Sequence, residues 1–450
     1  MSEQERDTDG QTQANVTITL EARPERLLIP HAASVRRIDY RIQVSAAPNK
    51  ARAERAPLTL ALVIDRSGSM SGDKIVTAKR AALTALHELD ERDTAAVVIF
   101  DDQIDTIQPA AQVTPAIKRH VAHELEEVNA RSSTALHEGW LTGCNAIVGQ
   151  GASGGLARCF LLTDGLANVG IQDPEQIATQ AGGIRRNAGI GTSTFGVGLD
   201  YAEELLGPMA EAGGGQFHNL RTAAEIAHAF AGELGELLLT AAANVRLEIE
   251  VEAGATVELL SIYHTQQDTE HPYRWSAMIG DLMGGEERHV IASVNFPLSA
   301  RREAQTVRAR ILWTQEGAEQ ATDWQPLTFT YATDAECDAE QPDAEIAQRI
   351  GEALSDRAQR EALTRSKRGD FAGAQMVLAQ SSGDIQAYAA RSPRLEAELD
   401  AIANLNSGIA GGMPLDPDTA KEAYFQKQLR SKGQRDQRRA PQPPAKPDDK

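Results

Sequence analysis

The sequence predicts an α/β protein in which a doubly wound, mostly parallel sheet is inserted into a β-sandwich and followed by a small C-terminal helical region. Three patterns support this prediction. Short apolar runs alternate with segments of helical spacing between residues 57 and 240, which is typical of parallel strands joined by helices. On either side of that region, apolar and polar residues alternate as they do in half-buried strands. Helical spacing returns after residue 343.

The strands before residue 50 are too few to form a stable layer of their own. We therefore expect them to complete a sandwich with the strands after residue 244, so that the α/β domain is an insertion. On this interpretation, the chain consists of a disordered segment at 1–14, the first sandwich strands at 15–50, the α/β domain at 57–240, the rest of the sandwich at 244–333, an acidic linker at 337–343, a helical region at 343–408 and a disordered basic tail at 415–450.

The central element is the apolar run at 58–64, which has the pattern of a strand buried on both faces of a parallel sheet. Further strands of this domain are expected at 94–100, 103–113 (an antiparallel edge strand), 157–163, 191–198 and 216–219. Its helices are expected at 74–89, 115–128, 134–148, 174–187, 202–212 and 222–239. Outside it, we expect strands at 15–22, 35–46, 245–251, 256–262, 274–279, 288–296, 306–314 and 324–331, and helices at 345–366, 371–379 and 395–405.

Composition limits the functions open to this chain. Its 450 residues carry a formal net charge of -19, which opposes nucleic-acid binding because that needs a basic surface. The tail at 421–450, with nine Lys or Arg and four Asp or Glu, is a local exception that we interpret as a solvated arm. No apolar run approaches the roughly 20 residues of a membrane span, and residues 1–10 lack signal-peptide character. We expect a cytoplasmic protein whose three cysteines are reduced.

Polarity changes abruptly where the central apolar run ends. Asp65, Ser67 and Ser69 place short oxygen-bearing side chains at alternate positions, and Gly68 lets the backbone fold back between them. All-oxygen sites suit hard divalent cations such as Mg²⁺. The alternative interpretation is an ordinary helix start, in which Ser69 or Ser71 caps the following helix.

Two later stretches add to this loop: Thr134 opens a helical pattern, and Asp164 ends a second buried strand. Together the three stretches resemble the metal-ion-dependent adhesion site of von Willebrand factor type A domains, whose pattern Asp-x-Ser-x-Ser, Thr, Asp is matched in full. The segments at 193–198 and 213–215 also resemble this family, so the resemblance covers about residues 57–239. The residues that match the site are Asp65, Ser67, Ser69, Thr134 and Asp164.

The resemblance implies a Rossmann-like sheet and a Mg²⁺ or Mn²⁺ ion that the Ser and Thr hydroxyls hold directly, while the two carboxylates act largely through bound water. It also implies an open coordination position that accepts an Asp or Glu carboxylate from a protein partner. We therefore expect a metal-dependent protein-binding module. Two alternatives remain: a non-catalytic adaptor of an AAA+ ATPase or chelatase-like machine, and a structural scaffold whose metal fixes the loops.

Little in the sequence indicates an enzyme. Ser67 or Ser69 could be paired with His137, but the chain has no Gly-x-Ser-x-Gly elbow, and a hydroxyl on Mg²⁺ is a ligand before it is a nucleophile. We expect His137 to lie on a helix surface. Asp101 and Asp102 end a strand at the same sheet edge, where we favour solvation over a supporting role at the metal.

Overall fold

The computed structural model describes residues 16–32, 34–45, 56–150, 155–164, 168–198, 201–220, 222–261, 263, 265–299, 301–315, 318–389 and 392–410. The segments at 1–14 and 415–450, for which we predict disorder, lie outside the described residues. Within these ranges, the strands form three sheets, of which two enclose one core as a sandwich and the third is the centre of an α/β unit. No helix among the described residues combines the length and apolarity that crossing a bilayer requires.

The elements follow the chain in four groups. The first strands are β1 (Ile18–Pro24), β2 (Leu28–Pro30) and β3 (Ser34–Val44). The α/β unit consists of β4 (Leu58–Asp65), α1 (Asp73–Glu88), β5 (Thr94–Phe100), β6 (Ile104–Gln112), α2 (Pro115–Glu127), α3 (Leu136–Ile147), β7 (Leu156–Thr163), α4 (Pro174–Ala188), β8 (Ile190–Val197), α5 (Glu203–Ala212), β9 (Gly214–Leu220) and α6 (Ala223–Leu238). The third group is β10 (Thr240–Glu250), β11 (Thr256–Leu259), β12 (Thr265–Gln267), β13 (Arg274–Met283), β14 (Glu287–Phe296), β15 (Ala304–Gln315), β16 (Ala318–Ala321) and β17 (Gln325–Ala332). The last is α7 (Asp334–Ala339), α8 (Ala344–Lys367), α9 (Phe371–Ala389) and α10 (Pro393–Ala410).

Strands from both sides of the α/β unit pair with each other. One sandwich sheet has the order β1-β3-β14-β11, and β3 pairs with β14 from Ser34 opposite Phe296 to Gln43 opposite Glu287. The other has the order β12-β13-β10-β15-β17-β2, with β16 beside β15, and β2 pairs in parallel with β17. The terminal helices pack on the first sheet, where Ile291 of β14 shares a core with Ile346 and Ile350 of α8. The predicted fold class is confirmed.

The central sheet has the order β6-β5-β4-β7-β8-β9, in which β6 is antiparallel and the other strands are parallel. Every residue of β4 is buried. Because side chains alternate along a strand, Leu60 and Leu62 enter the core beneath α1 and α6, whereas Ala61 and Val63 enter the core beneath α3. The carboxyl ends of β4, β5 and β7 therefore meet at one edge of the sheet.

Some elements differ from the sequence-based expectation. The short strands β2, β12 and β16 have three or four residues each, too few for a recognisable alternation. The acidic linker expected at 337–343 begins inside helix α7, because Thr333 and Glu336 form a capping box at its start. The helix expected at 371–379 continues as α9 to Ala389.

Helix α3 approaches the central sheet closely at two glycines. A Cβ atom at Gly139 would lie 2.5 Å from Phe100 Cγ, and one at Gly143 would lie 2.2 Å from Val63 Cγ2. Both neighbouring side chains belong to fully buried strand residues, so neither has free space to move into.

We expect Gly143→Ala to lower the free energy of unfolding by about 1–3 kcal/mol, because the new methyl group must displace Val63 in a packed core. Gly183→Ala in α4 is the matched control. No described atom lies within 4 Å of its Cβ position, so we expect it to gain about 0.5–1 kcal/mol from helix propensity. Urea unfolding curves measure both, and a shift of the same sign in the two variants would contradict the packing argument.

The α/β unit and the sandwich meet at a buried carboxylate. Asp281 on β13 accepts hydrogen bonds from Arg158 on β7, Arg185 on α4 and the backbone amide of Asn244. All three charged side chains are buried. Burial alone would raise the pKa of Asp281, but the two guanidinium groups outweigh it and hold the pKa below its usual value.

Asp281→Ala should lower the free energy of unfolding by about 3–5 kcal/mol at pH 7, because two guanidinium groups would remain buried without their carboxylate. Glu258→Ala, which breaks the exposed pair with Arg357, should cost at most about 1 kcal/mol in the same urea titration.

The Asp281 interaction should also be acid-sensitive. Because the folded-state pKa is depressed, its stabilisation is complete above the unfolded-state pKa of about 3.9 and is lost as the pH falls through the folded-state pKa. Below about pH 4, the stability of the wild type should therefore fall more steeply than that of Asp281→Asn. Parallel acid-unfolding curves would contradict this assignment.

Candidate metal-binding site

The candidate site lies at the carboxyl edge of the central sheet. Asp65 is the last residue of β4, and Asp164 directly follows β7, the neighbouring parallel strand. A one-turn 3-10 helix, Gly68–Met70, follows β4 and carries Ser69. This edge is where open α/β sheets bind their ligands.

Hydrogen bonds connect four of the five predicted metal ligands. The Ser67 and Ser69 hydroxyl oxygens lie 3.2 Å apart, and Ser69 Oγ donates to Asp164 Oδ1 at 2.8 Å. Asp65 Oδ1 accepts from the Ser67 backbone amide at 2.7 Å, and Asp65 Oδ2 accepts from the Thr163 hydroxyl at 2.6 Å. The structure thus gathers two carboxylates and two hydroxyls from segments that are far apart along the chain.

Thr134, the fifth predicted ligand, is joined to this group through its loop. The Gly68 backbone amide donates to the Ser132 carbonyl at 3.0 Å, and Asn168 Oδ1 accepts from the Thr134 backbone amide at 2.8 Å. Ser132 has a φ of 60°, a left-handed conformation that is costly outside glycine and is often found at functional loops. Within the described residues, no hydrogen bond links the buried Thr134 side chain to the other four.

The alternative of capping serines is wrong. Helix α1 begins at Asp73 with Gly72 as its N-cap, and no side chain in the described stretch 56–150 caps it. The Ser71 hydroxyl donates to the Gly68 carbonyl at 2.6 Å, and Ser69 is bonded to Asp164. The hydroxyls are therefore directed to the loop and to the sheet edge rather than to the helix start.

Asp101 supports the site, so the expectation that it is solvated is wrong. Its side chain is fully buried and accepts hydrogen bonds from Arg66 Nε at 3.2 Å and Arg131 Nε at 2.6 Å. Burial alone would raise the pKa of Asp101, but Arg131, a backbone amide and Arg66 together lower it. The Asp101 carbonyl also accepts from the Ala135 amide at 2.7 Å. Asp101 thereby fixes both ends of the loop that carries Thr134.

His137 is also placed differently from the prediction. It is only 6% exposed, not on the helix surface. Its Nε2 lies 2.6 Å from Gln180 Oε1 on α4, and its ring packs at a tilt against Trp140. His137 therefore belongs to the packing between α3 and α4.

Two further residues complete the site, and neither was predicted from the sequence. Thr163 donates to Asp65, and the Lys74 ammonium donates to Asp164 Oδ2 and to the Ser69 carbonyl, the latter at 3.3 Å. A lysine in the first turn of a helix carries no ligand signal in the sequence. Its role emerges only when α1 is placed beside the end of β7.

The charges of the site suit a divalent cation. Burial raises the pKa of Asp65 to about 6, although hydrogen bonds from Thr163 and Ser67 favour the ionised form, and the nearby Asp164 charge adds to the rise. Two buried carboxylates thus lie together with neutral hydroxyls. An all-oxygen donor set of this kind fits Mg²⁺ or Mn²⁺ rather than a soft metal.

Comparison with known proteins agrees with this fold. Residues 59–231 match the von Willebrand factor type A domain. The chain is 27% identical over 256 residues to the uncharacterized protein YfbK of Escherichia coli, in an alignment that covers 56% of this chain and 44% of YfbK. The chain thus spans less than half the length of that curated relative.

Two solved structures cover nearly the whole chain. The von Willebrand factor type A protein from Catenulispora acidiphila has a TM-score of 0.69 and 18% identity, and covers 93% of this chain and 98% of its own. The ArnB paralog VWA2 from Sulfolobus acidocaldarius has a TM-score of 0.60 and 14% identity, with 92% and 98% covered. At these identities the likeness shows the fold.

The inserted unit belongs to the class of α/β domains that bind ligands at the carboxyl edge of the sheet. More particularly, this chain contains a von Willebrand factor type A domain. Such domains commonly mediate protein interactions, and they often bind a divalent metal at their adhesion site.

The raised pKa of Asp65 predicts a stabilising substitution. The folded-state pKa of about 6 exceeds the unfolded-state value of about 3.9, so ionisation of Asp65 penalises the folded state as the pH rises from 4 to 6 and above. In EDTA at pH 7.5, Asp65→Asn should raise the free energy of unfolding by about 1–3 kcal/mol, and at pH 4 the gain should vanish. The exposed Asp102→Asn is the control in the same urea titrations. A gain that is equal at both pH values would contradict this assignment.

Proposed function

We propose that this chain is a metal-dependent protein-binding module in which Mg²⁺, or Mn²⁺, accepts an Asp or Glu carboxylate from a protein partner. The strongest support is the 2.8 Å hydrogen bond from Ser69 Oγ to Asp164 Oδ1. It joins two residues 95 positions apart, in the order that the adhesion-site pattern requires. The presence of a type A domain supports the partner class, since these domains commonly mediate protein interactions.

In this proposal, the hydroxyls of Ser67, Ser69 and Thr134 hold the ion directly, and Asp65 and Asp164 act through water. The bound ion supplies an electrophilic position to which a partner carboxylate adds. The protein contributes a fixed set of oxygen atoms, because buried strands and the loop contacts described above leave them little freedom. Its role is binding and not catalysis.

The placement of the site favours access by a large partner. The chain enters the α/β unit at Leu58 and leaves it at Leu238, and both junctions lie at the amino-terminal edge of the sheet. The site occupies the opposite edge, away from the sandwich. A cytoplasmic location is part of the proposal and is supported by three buried free cysteines.

Calorimetric titration of Mg²⁺ into the purified chain tests the metal. Asp65→Ala and Thr134→Ala should each weaken Mg²⁺ binding by about 10–100-fold, since each removes an oxygen that holds the ion or its water. Thr84→Ala, which removes an exposed hydroxyl bonded to the Arg80 carbonyl on α1, should bind like the wild type. Unchanged binding in Asp65→Ala would contradict the proposed site.

Affinity capture from a lysate with Mg²⁺ or EDTA tests the function. Proteins captured by the wild type in Mg²⁺ should be lost in EDTA and with Asp65→Ala. A captured AAA+ ATPase would favour the adaptor alternative. If EDTA lowers the melting temperature but leaves the captured proteins unchanged, the metal is structural and the binding proposal fails.

A further inference from the structure

Lys74 places a positive charge at the proposed metal site. Its ammonium donates to Asp164 Oδ2 and to the Ser69 carbonyl oxygen at 3.3 Å. The Asp164 side chain is fully buried, while that of Lys74 is 32% exposed. Asp164 and Ser69 both belong to the proposed ligand set. Lys74 and the metal ion would therefore both interact with the Asp164 carboxylate.

The fold holds Lys74 in this position against the local preference of its helix. Lys74 is in the first turn of α1, where the helix dipole favours negative side chains. On its other side it passes Gly198, which has a φ of 88° and whose Cβ position would lie 3.4 Å from Lys74 Nζ. The contact with Asp164 is therefore the favourable interaction that keeps the ammonium at the sheet edge.

The neighbouring guanidinium groups are already neutralised. Arg66 pairs with Asp101 and Asp105, and Arg131 pairs with the same two carboxylates. These four charges balance one another within the loop cluster. The Lys74 ammonium, by contrast, forms its ion pair with Asp164, a member of the proposed ligand set.

We propose that Lys74 is an internal counter-ion that competes with the divalent metal for Asp164 and thereby limits metal affinity. This inference rests on the proposed function. With Lys74 present, the two carboxylates of Asp65 and Asp164 offer a divalent ion only one uncompensated negative charge. Without it they would offer two. Like charges a few ångströms apart at a partly exposed site still repel appreciably, so removing the ammonium should tighten metal binding.

The test is calorimetric titration of Mg²⁺ into the full chain at pH 7.5 with four proteins: the wild type, Lys74→Met, Lys74→Arg and Lys118→Met. We expect Lys74→Met to bind Mg²⁺ about tenfold more tightly than the wild type. Lys74→Arg keeps the charge and should bind like the wild type. Lys118 is the matched control, because it donates to the His87 and Leu89 carbonyls at the far end of α1, about 20 Å away along the helix.

Equal or weaker Mg²⁺ binding by Lys74→Met would overturn the competition and would make Lys74 a positioning residue for Asp164. Melting curves in EDTA show whether each variant is folded, and Lys74→Gln provides a second neutral variant.

If the wild type binds no Mg²⁺ but Lys74→Met does, the competition is supported in its strongest form. If neither binds, both this inference and the proposed metal site fail. Metal binding by the wild type with no change in Lys74→Met defeats this inference alone.

Discussion

The candidate site depends on the burial of one carboxylate, that of Asp65. Strand β4 is covered on both faces, so its last residue ends in a space with almost no solvent. The Asp65 carboxylate accepts hydrogen bonds from the Ser67 amide and the Thr163 hydroxyl, which are both neutral donors. Neutral donors satisfy the lone pairs but not the charge, which is why the pKa of Asp65 remains raised. A positive charge from outside β4 is therefore favourable at this edge.

A second buried aspartate in the same chain shows the opposite solution. Asp281 receives two guanidinium groups, from Arg158 and Arg185, and its pKa is lowered. Its charge is compensated entirely within the protein, which suits a permanent connection between the α/β unit and the sandwich. The Asp65 carboxylate instead accepts from neutral donors, the Ser67 amide and the Thr163 hydroxyl, and the Lys74 ammonium is bonded to Asp164. The charge of Asp281 is thus neutralised within the fold, whereas under the proposed function the charge of Asp65 is left for a bound cation.

Local patterns and long-range contacts differ in how far the sequence could predict them. The apolar run at 58–64 predicts β4 because a strand buried on both faces has a continuous apolar pattern, and the fold class followed from such runs. The pairing of Asp281 with Arg158 spans 123 residues and leaves no local trace. The burial of His137 had a signal that we gave too little weight, since it lies one helical turn from the buried Trp140. Asp101 was misjudged for a different reason, because its partner Arg131 is 30 residues away on another loop.

The position of the two chain junctions has a mechanical consequence. Both connect to the sandwich at the amino-terminal edge of the sheet, while a partner would attach at the carboxyl edge. A pulling force between the two would run along the strands rather than across them. Strand β4 joins the junction at Leu58 to the site at Asp65, so it would carry that force and would be sheared against its parallel neighbours β5 and β7. If a partner binds at the site as proposed, the hydrogen bonds of β4 to β5 and β7 would therefore be loaded together rather than one at a time.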